Sequence, residues 1–272
     1  MGISLSSRYP EVTYLLPISK DLKYLNYCLS SFIHEDYPCF RIKVVVNGTL
    51  ITLREVQEIV QKFEQSFQIE VVAVDGGLVE ALNFGIQTSA SKYIARIDAD
   101  DAMIPGRTRS QVKVLEKDNE IGVIGGQAVL INASGEKIGD LNYLVGKFLV
   151  SWRMKTRCAV GHPFVMFRRE LVESVGGYRS TSFPAEDYDL WTRLLSKTKF
   201  TNLPFPVGEH RKHDNQVSVV YLEAQMDQTI KINGQKNVLI PLGNLRTSIH
   251  RKLLKTFVRF RLFAYTFFDW TK

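Results

Sequence analysis

Residues Tyr93–Asp101 read YIARIDADD, an apolar, strand-forming run that ends directly in three carboxylates. A strand in front of clustered acids places them at the carboxyl edge of a sheet, where open α/β folds bind their ligands. Because side chains alternate along an extended chain, Asp98 and Asp100 point to the same side. Such a pair favours a bound cation, and Mn²⁺ or Mg²⁺ shared with a substrate's phosphates would fit. The alternative is a solvated turn that caps a helix starting near Pro105.

Strand-like and helix-like segments alternate around this stretch. Strands are expected over 12–17, 42–47, 69–74, 93–97, 122–131 and 200–203. Helices are expected over 21–34, 52–65, 79–88, 105–117 and 186–196, with Thr52 and Glu55 as a capping box and a hairpin turn over 132–135. The alternation indicates βαβ units, a parallel sheet and helices on both faces. We therefore predict one α/β domain over residues 1–220, followed by a helical, basic and aromatic tail over residues 221–272.

Composition narrows the class of protein. The 272 residues are 45% hydrophobic, which is enough for a sizeable core. Three cysteines without a CxxC pair argue against a disulfide framework and a zinc site. Without an apolar leader or an uncharged run of 18 apolar residues, the expected location is the cytoplasm. The net charge of +7 favours an anionic partner: nucleic acid, anionic lipid or a phosphorylated small molecule.

A second acidic pair, Glu186-Asp187, stands at the start of a predicted amphipathic helix. Acids in a first turn complement the helix dipole, so this pair could serve stability alone. However, a transfer from a phosphorylated donor to a hydroxyl needs a base that is separate from the leaving phosphate. Two acidic groups at the ends of different elements would provide that separation.

The run His210-Arg211-Lys212-His213 combines imidazoles with two permanent cations. One interpretation is an ordinary surface loop. The other places an imidazole on the metal, and Arg211 or Lys212 on a diphosphate. A similar choice applies to His162, as a core or loop residue or as a substrate contact.

In their order along the chain, these motifs resemble the family 2 glycosyltransferases, a GT-A-fold group that includes bacterial cell-surface polysaccharide enzymes. The matching segments are 12–17, 44–49, 77–86, 93–101, 105–111, 162–168, 176–178, 186–193 and 210–218. The resemblance implies a Rossmann-like, mainly parallel sheet flanked by helices. It also implies metal-dependent, inverting transfer of a sugar from a nucleotide-sugar, with UDP as the expected nucleotide. The acceptor would be a hydroxyl of a glycan or a lipid-linked glycan.

The resemblance also implies roles for individual residues at the reacting centre. Asp100 would be the direct metal ligand, with His213 completing metal or diphosphate binding. Asp98 would lie nearer the ribose of the nucleotide. Asp187 would be the general base, with Glu186 as its neighbour. These residues must therefore gather around a single cleft.

Further residues are implied in donor binding. Pro17 and Asn47 match positions that line the uracil and ribose pocket, and Asn83 and Arg211 would also contact the donor. The chain departs from the family pattern at Val46-Asn47, where relatives commonly carry two aspartates, and at Leu82, where many carry arginine. Both departures concern the identity of the nucleotide more than the type of reaction.

The tail combines cations with a broad apolar surface. On a helix, the cations of residues 251–259 form a stripe against aromatic residues, which is typical of an interfacial membrane helix. The alternative is packing on the catalytic domain or on a second subunit, as in a homodimer. The expected partners are a nucleotide-sugar, an acceptor and the inner face of a membrane, rather than nucleic acid. A nucleotidyltransferase and a non-catalytic nucleotide-sugar-binding relative remain alternative functions.

Overall fold

The computed structural model describes residues 9–213 and 220–235. Contacts between residues divide the chain into a unit over Met1–Lys236 and a unit over Asn237–Lys272. The second unit lies outside the described residues, as do residues 214–218 of the predicted motif over 210–218. The division predicted at residue 220 and the predicted membrane helix of the tail therefore stay predictions.

Nine strands form one sheet within the described residues, in the order β3-β2-β1-β4-β8-β6-β9-β5, with β7 paired to β6. The strands are β1 Val12–Ile18, β2 Phe40–Asn47, β3 Gln68–Val74, β4 Tyr93–Arg96, β5 Ala102–Met103, β6 Ile121–Ile131, β7 Lys137–Leu141, β8 Met166–Arg168 and β9 Lys199–Arg211. Strands β3, β2, β1 and β4 are parallel. Strand β8 runs antiparallel to β4 and β6, whereas β9 runs parallel to β6.

Helices cover both faces of the sheet, as predicted. They are α1 Leu25–Ser30, α2 Leu53–Val60, α3 Leu78–Gln87, α4 Arg107–Lys117, α5 Lys147–Met154, α6 Arg169–Glu173, α7 Glu186–Leu194 and α8 Leu222–Gln235, with short 3₁₀ turns at His162–Phe164 and Ser180–Ser182. Alternate residues of β1 enter two apolar clusters. Tyr14 and Leu16 pack with α1, α2 and α4, whereas Leu15 packs with α3, α5 and α7. This two-sided burial explains the continuous apolar run of the strand.

The element boundaries largely follow the sequence predictions. The capping box of α2 is confirmed, because Thr52 and Glu55 exchange hydrogen bonds between side chain and backbone. Three predictions differ, the first being that helix α2 ends at Val60 rather than near residue 65. Helix α1 is confined to Leu25–Ser30 within the predicted 21–34, and β9 extends eight residues beyond the predicted end at Leu203. The continuation of β9 matters for the site, because it carries His210 and Arg211.

Helix α8 packs on the domain that precedes it. The Asn233 amide donates to the Thr156 carbonyl at 3.0 Å, and Tyr188 Oη donates to Asn233 Oδ1 at 2.6 Å. Gln228 also donates to the Thr181 carbonyl at 2.9 Å. None of the helices in the described residues has the length and apolar character needed to cross a bilayer.

Candidate active site

The acids after β4 form a tight turn. The backbone N–H of Asp101 donates to the Asp98 carbonyl at 3.1 Å. The turn brings carboxylate oxygens of Asp98, Asp100 and Asp101 within 4.8 Å of one another. It does not cap the next helix, because α4 begins at Arg107 after Gly106 and has no side-chain cap. The helix-cap alternative is therefore wrong.

Strand β9 brings two imidazoles to this turn. His213 Nε2 lies 2.8 Å from Asp100 Oδ2, and His210 Nδ1 lies 3.1 Å from Asp101 Oδ1. The strand reaches the turn because β9 runs beside β6 and pairs with β5 through Ala102 and Glu209. The predicted partners Asp100 and His213, more than a hundred residues apart in sequence, thus meet at one point.

Arg211 is only 2% exposed and is bound to the acidic turn rather than to solvent. Its backbone N–H donates to Asp101 Oδ1 at 2.9 Å, and its Nε donates to the Asp100 carbonyl at 2.9 Å. The guanidinium lies between two rings, 4.4 Å from the centroid of Tyr24 and 4.6 Å from that of Tyr27. These contacts fix the backbone that carries the acids.

Crowding of the acids changes their proton affinity. Burial raises the pKa of Asp100, the charge of Asp98 raises it further, and His213 opposes the rise. Burial likewise raises the pKa of Asp101 to about 6 against the opposing charge of His210. Burial lowers the pKa of His210, but the Asp101 carboxylate outweighs that effect and brings it to about 9. Near neutral pH His210 and Asp101 therefore form an ion pair.

Arg96, the penultimate residue before the acids, lies beneath the turn and is 1% exposed. Its Nη2 donates to Asp98 Oδ1 at 2.6 Å, and its Nη1 donates to the Ile97 carbonyl at 2.8 Å. Its Nε has no hydrogen-bond partner among the described residues. Arg96 was not among the predicted site residues, although a charged residue in a buried strand is itself a signal of function.

The second acidic pair opens α7. Glu186 is 5% exposed, and its Oε2 finds no hydrogen-bond partner among the described residues. Asp187 is half-buried, and its Oδ1 accepts the Tyr188 N–H at 2.6 Å. Its Oδ2 accepts the Cys158 thiol at 3.7 Å. The position of both acids in the first turn of α7 agrees with helix-dipole compensation. That role does not explain why a buried oxygen of Glu186 is left without a hydrogen-bond partner among the described residues.

Electrostatic effects link the two acidic groups. The pKa of Glu186 is raised to about 7, chiefly by burial and then by the charge of Asp187; Arg96 opposes the rise and Asp98 adds to it. Burial also raises the pKa of Asp187, against the Tyr188 N–H and the charge of Arg96. Arg96 thus lies close enough to act on Asp98 and on both acids of α7. The charges of the two acidic groups therefore influence one another through Arg96.

The residues proposed for donor binding lie at the edge of the sheet next to Asp98. Pro17 and Asn47 stand near the carboxyl ends of β1 and β2, which pair in parallel beside β4. Both are buried. Asn83, in α3, instead binds backbone: its Nδ2 donates to the Tyr178 carbonyl and its Oδ1 accepts the Tyr178 N–H, at 2.9 and 2.8 Å. Leu82 is fully buried in the apolar cluster beneath.

The contact between Asn83 and Tyr178 explains why the neighbouring residue 177 is a glycine. Gly177 has φ +67°, a left-handed conformation, and a Cβ there would lie 2.4 Å from Asn83 Oδ1. Only glycine combines this backbone conformation with so close an approach. Asn83 and Gly177 together fix Tyr178, whose Oη lies 2.9 Å from His162 Nε2. Burial and the nearby Arg96 charge hold the pKa of His162 well below its usual range, so this imidazole is neutral at pH 7.

With this geometry in place, comparison with known sequences assigns the family. The sequence profile of Glycosyl transferase family 2 matches residues 15–176, more than half of the chain. The chain belongs to this family. It is 25% identical over 207 residues to the O-antigen biosynthesis glycosyltransferase WbnJ of Escherichia coli, covering 75% of this chain and 80% of WbnJ. It is 26% identical over 175 residues to the amylovoran biosynthesis glycosyltransferase AmsE of Erwinia amylovora, covering 63% and 64%.

Solved structures confirm the GT-A fold of this glycosyltransferase. S. aureus TarS 1–349, in complex with UDP-GlcNAc, superposes with a TM-score of 0.65 at 16% identity, over 82% of this chain and 65% of TarS 1–349. The mannosyltransferase PcManGT of Pyrobaculum calidifontis, in complex with GDP-Man and Mn²⁺, gives 0.61 at 16% identity, over 84% and 65%. The present chain thus spans about two thirds of these structures. Family membership excludes the nucleotidyltransferase alternative.

The raised pKa of Glu186 predicts a stability effect. Between about pH 4.5 and 7 the folded protein holds a proton on Glu186 that the unfolded chain releases, so folding stability falls as pH rises through this window. Glu186→Gln removes this ionisation. We expect the variant to gain about 1–3 kcal/mol relative to the unmodified protein between pH 4.5 and pH 8. Urea unfolding at both pH values, with Glu64→Gln as an exposed control, measures the gain. An equal difference at both pH values would contradict the assignment.

Proposed function

We propose that the protein is a metal-dependent, inverting glycosyltransferase that moves a sugar from a nucleotide-sugar, with UDP as the nucleotide, to a hydroxyl of a glycan or lipid-linked acceptor. The observation that carries this proposal is that Arg96 binds Asp98 directly and that its charge also acts on Glu186 and Asp187, the two acids of α7. Such an arrangement separates a site for the leaving diphosphate from a site for the base. That separation is what transfer to a hydroxyl requires.

The acidic turn fits a divalent cation. Its oxygens lie within 4.8 Å of one another, and His213, two residues after the end of β9, places its Nε2 at 2.8 Å from Asp100 Oδ2. Carboxylate with imidazole suits Mn²⁺, and carboxylate with phosphate oxygens suits Mg²⁺. Asp100 and His213 would hold the ion, with Asp98 beside it towards the ribose. When bound, the ion would neutralise charge that develops on the diphosphate.

Asp187 is the proposed general base. Its Oδ1 is held by the Tyr188 N–H, and its Oδ2 accepts a hydrogen bond from the Cys158 thiol. The acceptor hydroxyl would pass its proton to this carboxylate as its oxygen bonds to the anomeric carbon and the bond to the diphosphate breaks. Attack from the opposite face inverts the anomeric configuration. Glu186 next to it would hold a proton near neutral pH, which leaves the negative charge on Asp187.

Donor recognition is proposed for Pro17 and Asn47 at the strand ends. Asn47 offers both a donor and an acceptor to a base or ribose. Asn83 would act indirectly, through the backbone of Tyr178. We assign Arg211 a positioning role in place of the diphosphate contact expected from the sequence, because its guanidinium is buried and bonded to carbonyl oxygens.

The biological setting is proposed from the relatives. WbnJ is named for O-antigen biosynthesis and AmsE for amylovoran biosynthesis, both of them polysaccharides of bacterial surfaces. Synthesis of a surface polysaccharide is therefore the proposed pathway. A location on the inner face of the membrane would bring the enzyme to a lipid-linked acceptor.

The metal assignment predicts the behaviour of Asp100→Ala. Loss of the ligand should reduce donor binding with Mn²⁺ to the level without metal, because the diphosphate then lacks its bridging cation. Isothermal titration of UDP with and without Mn²⁺ measures this difference. Asp140→Ala, at an exposed acid of β7, is the control. Binding by Asp100→Ala that still responds to Mn²⁺ would remove Asp100 from the metal site.

The base assignment predicts a different result for Asp187→Asn. The change keeps the shape of the side chain but removes its basicity, so turnover should fall by about 10²- to 10⁴-fold. Donor affinity should stay within about twofold, since the residue faces the acceptor. Asp140→Asn, at an exposed acid of β7 that pairs with Lys137 on the surface, should keep turnover within about tenfold. Unchanged turnover in Asp187→Asn would show that the base is elsewhere.

A further inference from the structure

Helix α5 is apolar on both of its faces. Val150 and Met154 face the core and are fully buried, whereas Phe148, Leu149 and Trp152 on the other face are 70%, 57% and 65% exposed. A helix on the surface of a protein normally presents a polar outer face. The loop in front of it adds Leu144 and Val145, both exposed. We call these five side chains (Leu144, Val145, Phe148, Leu149 and Trp152) the α5 surface. Exposed apolar clusters of this kind mark interaction sites.

The segment that carries the α5 surface has charged residues of one sign only. Residues 141–160 contain four cations and no acid. Lys147 is paired with Asp118 and Glu120, each at 2.6 Å. The other three, Arg153, Lys155 and Arg157, form no ion pair with any residue in 9–213 or 220–235. Aromatic and aliphatic side chains therefore stand beside uncompensated positive charge.

From this combination we infer that the α5 surface docks on an anionic lipid membrane. Phe and Trp side chains enter the boundary between headgroups and acyl chains, while flanking Lys and Arg side chains attract anionic headgroups. Three unpaired cations of one sign do not suit a symmetric contact with a second copy, because each copy would oppose like charge to like charge. A lipid surface complements both the apolar and the charged components.

The position of α5 relates the docking surface to the chemistry. Cys158, whose thiol donates to Asp187, follows Trp152 by six residues, a span of at most about 20 Å. Docking through Trp152 would thus bring the membrane within about 20 Å of the residue that contacts the proposed base, which a lipid-linked acceptor must reach. This relation rests on the proposed function, although lipid binding itself does not. Thr156 lies between Trp152 and Cys158 in sequence, and its carbonyl accepts a hydrogen bond from Asn233 of α8. Asn233 lies two residues before the described part of the chain ends.

Vesicle flotation of the full chain tests the inference. We expect binding to vesicles containing phosphatidylglycerol and much weaker binding to phosphatidylcholine vesicles. Phe148→Ser combined with Trp152→Ser should lower the partition coefficient at least about tenfold, because the two rings that would insert into the membrane are lost. Lys155→Gln combined with Arg157→Gln should lower it by about 25-fold on anionic vesicles only, at about fivefold per charge. Leu50→Ser, at an exposed leucine after β2, is the matched control and should leave binding unchanged.

Tryptophan fluorescence locates the contact. The chain has three tryptophans, so the full-length Trp270→Phe protein retains only Trp152 and the fully buried Trp191. Vesicles with brominated acyl chains should quench Trp152 in this protein, and the added change Trp152→Phe should abolish the quenching while vesicle binding persists. This readout needs neither donor nor acceptor, so its failure is separable from failure of sugar transfer.

Three results would overturn the inference. The first is a full chain that does not float with anionic vesicles. The second is unchanged vesicle affinity of the Phe148→Ser, Trp152→Ser variant together with no quenching of Trp152 in the Trp270→Phe protein. This result would show that residues 236–272 bind the vesicle alone or cover the α5 surface. The third is a dimer in light scattering that the same variant converts to a monomer, which would make a second copy the occupant.

Discussion

The arrangement of the cleft depends on the burial of clustered carboxylates around one buried guanidinium. Arg96 ends β4 beneath the acidic turn and binds Asp98, and its charge also acts on Glu186 and Asp187. Carboxylates held this close in a poorly hydrated place resist full ionisation, so they favour partners that carry positive charge. A divalent cation, a proton in transfer and a substrate with polar groups all meet that requirement. The proposed chemistry follows from an electrostatic demand that the fold itself creates.

Residues from the second half of the sheet hold the acidic turn in this arrangement. Strand β9 returns beside β6 and delivers His210 to Asp101 and His213 to Asp100. Arg211 is clamped between two tyrosine rings and fixes the backbone of the acidic turn. Because these groups are buried and bonded, the site is formed before any ligand arrives. Preorganisation of this kind is how enzymes place charge where the transition state needs it.

Much of this could be predicted from the sequence, because the relevant patterns are local. The strand before Asp98, the capping box at Thr52 and the acids in the first turn of α7 are all readable from neighbouring residues. Apart from the pairing of Asp100 with His213, which the family resemblance implied, long-range contacts could not be predicted. The length of β9 depends on pairing with β6, whose glycines and valines do not specify a partner. The burial of Arg96 and the bond between Asn83 and Tyr178 arise from elements that meet only in the folded chain. The exposure of Phe148 could not be predicted either, because an apolar helix is expected to lie in the core until its neighbours are known.

The central claim is that the acidic turn and the acids of α7 share one electrostatic environment. Carboxyl ¹³C NMR of protein labelled at glutamate, with the Glu186 signal assigned by its loss in Glu186→Gln, measures this claim most directly. In the absence of metal, Glu186 should titrate at a pKa of about 7. Saturating Mg²⁺ should lower that pKa, because a cation beside Asp98 cancels the negative charge that helps to raise it. A Glu186 pKa near the ordinary value for glutamate that is unaffected by Mg²⁺ would place the two acidic groups in separate environments and contradict the account.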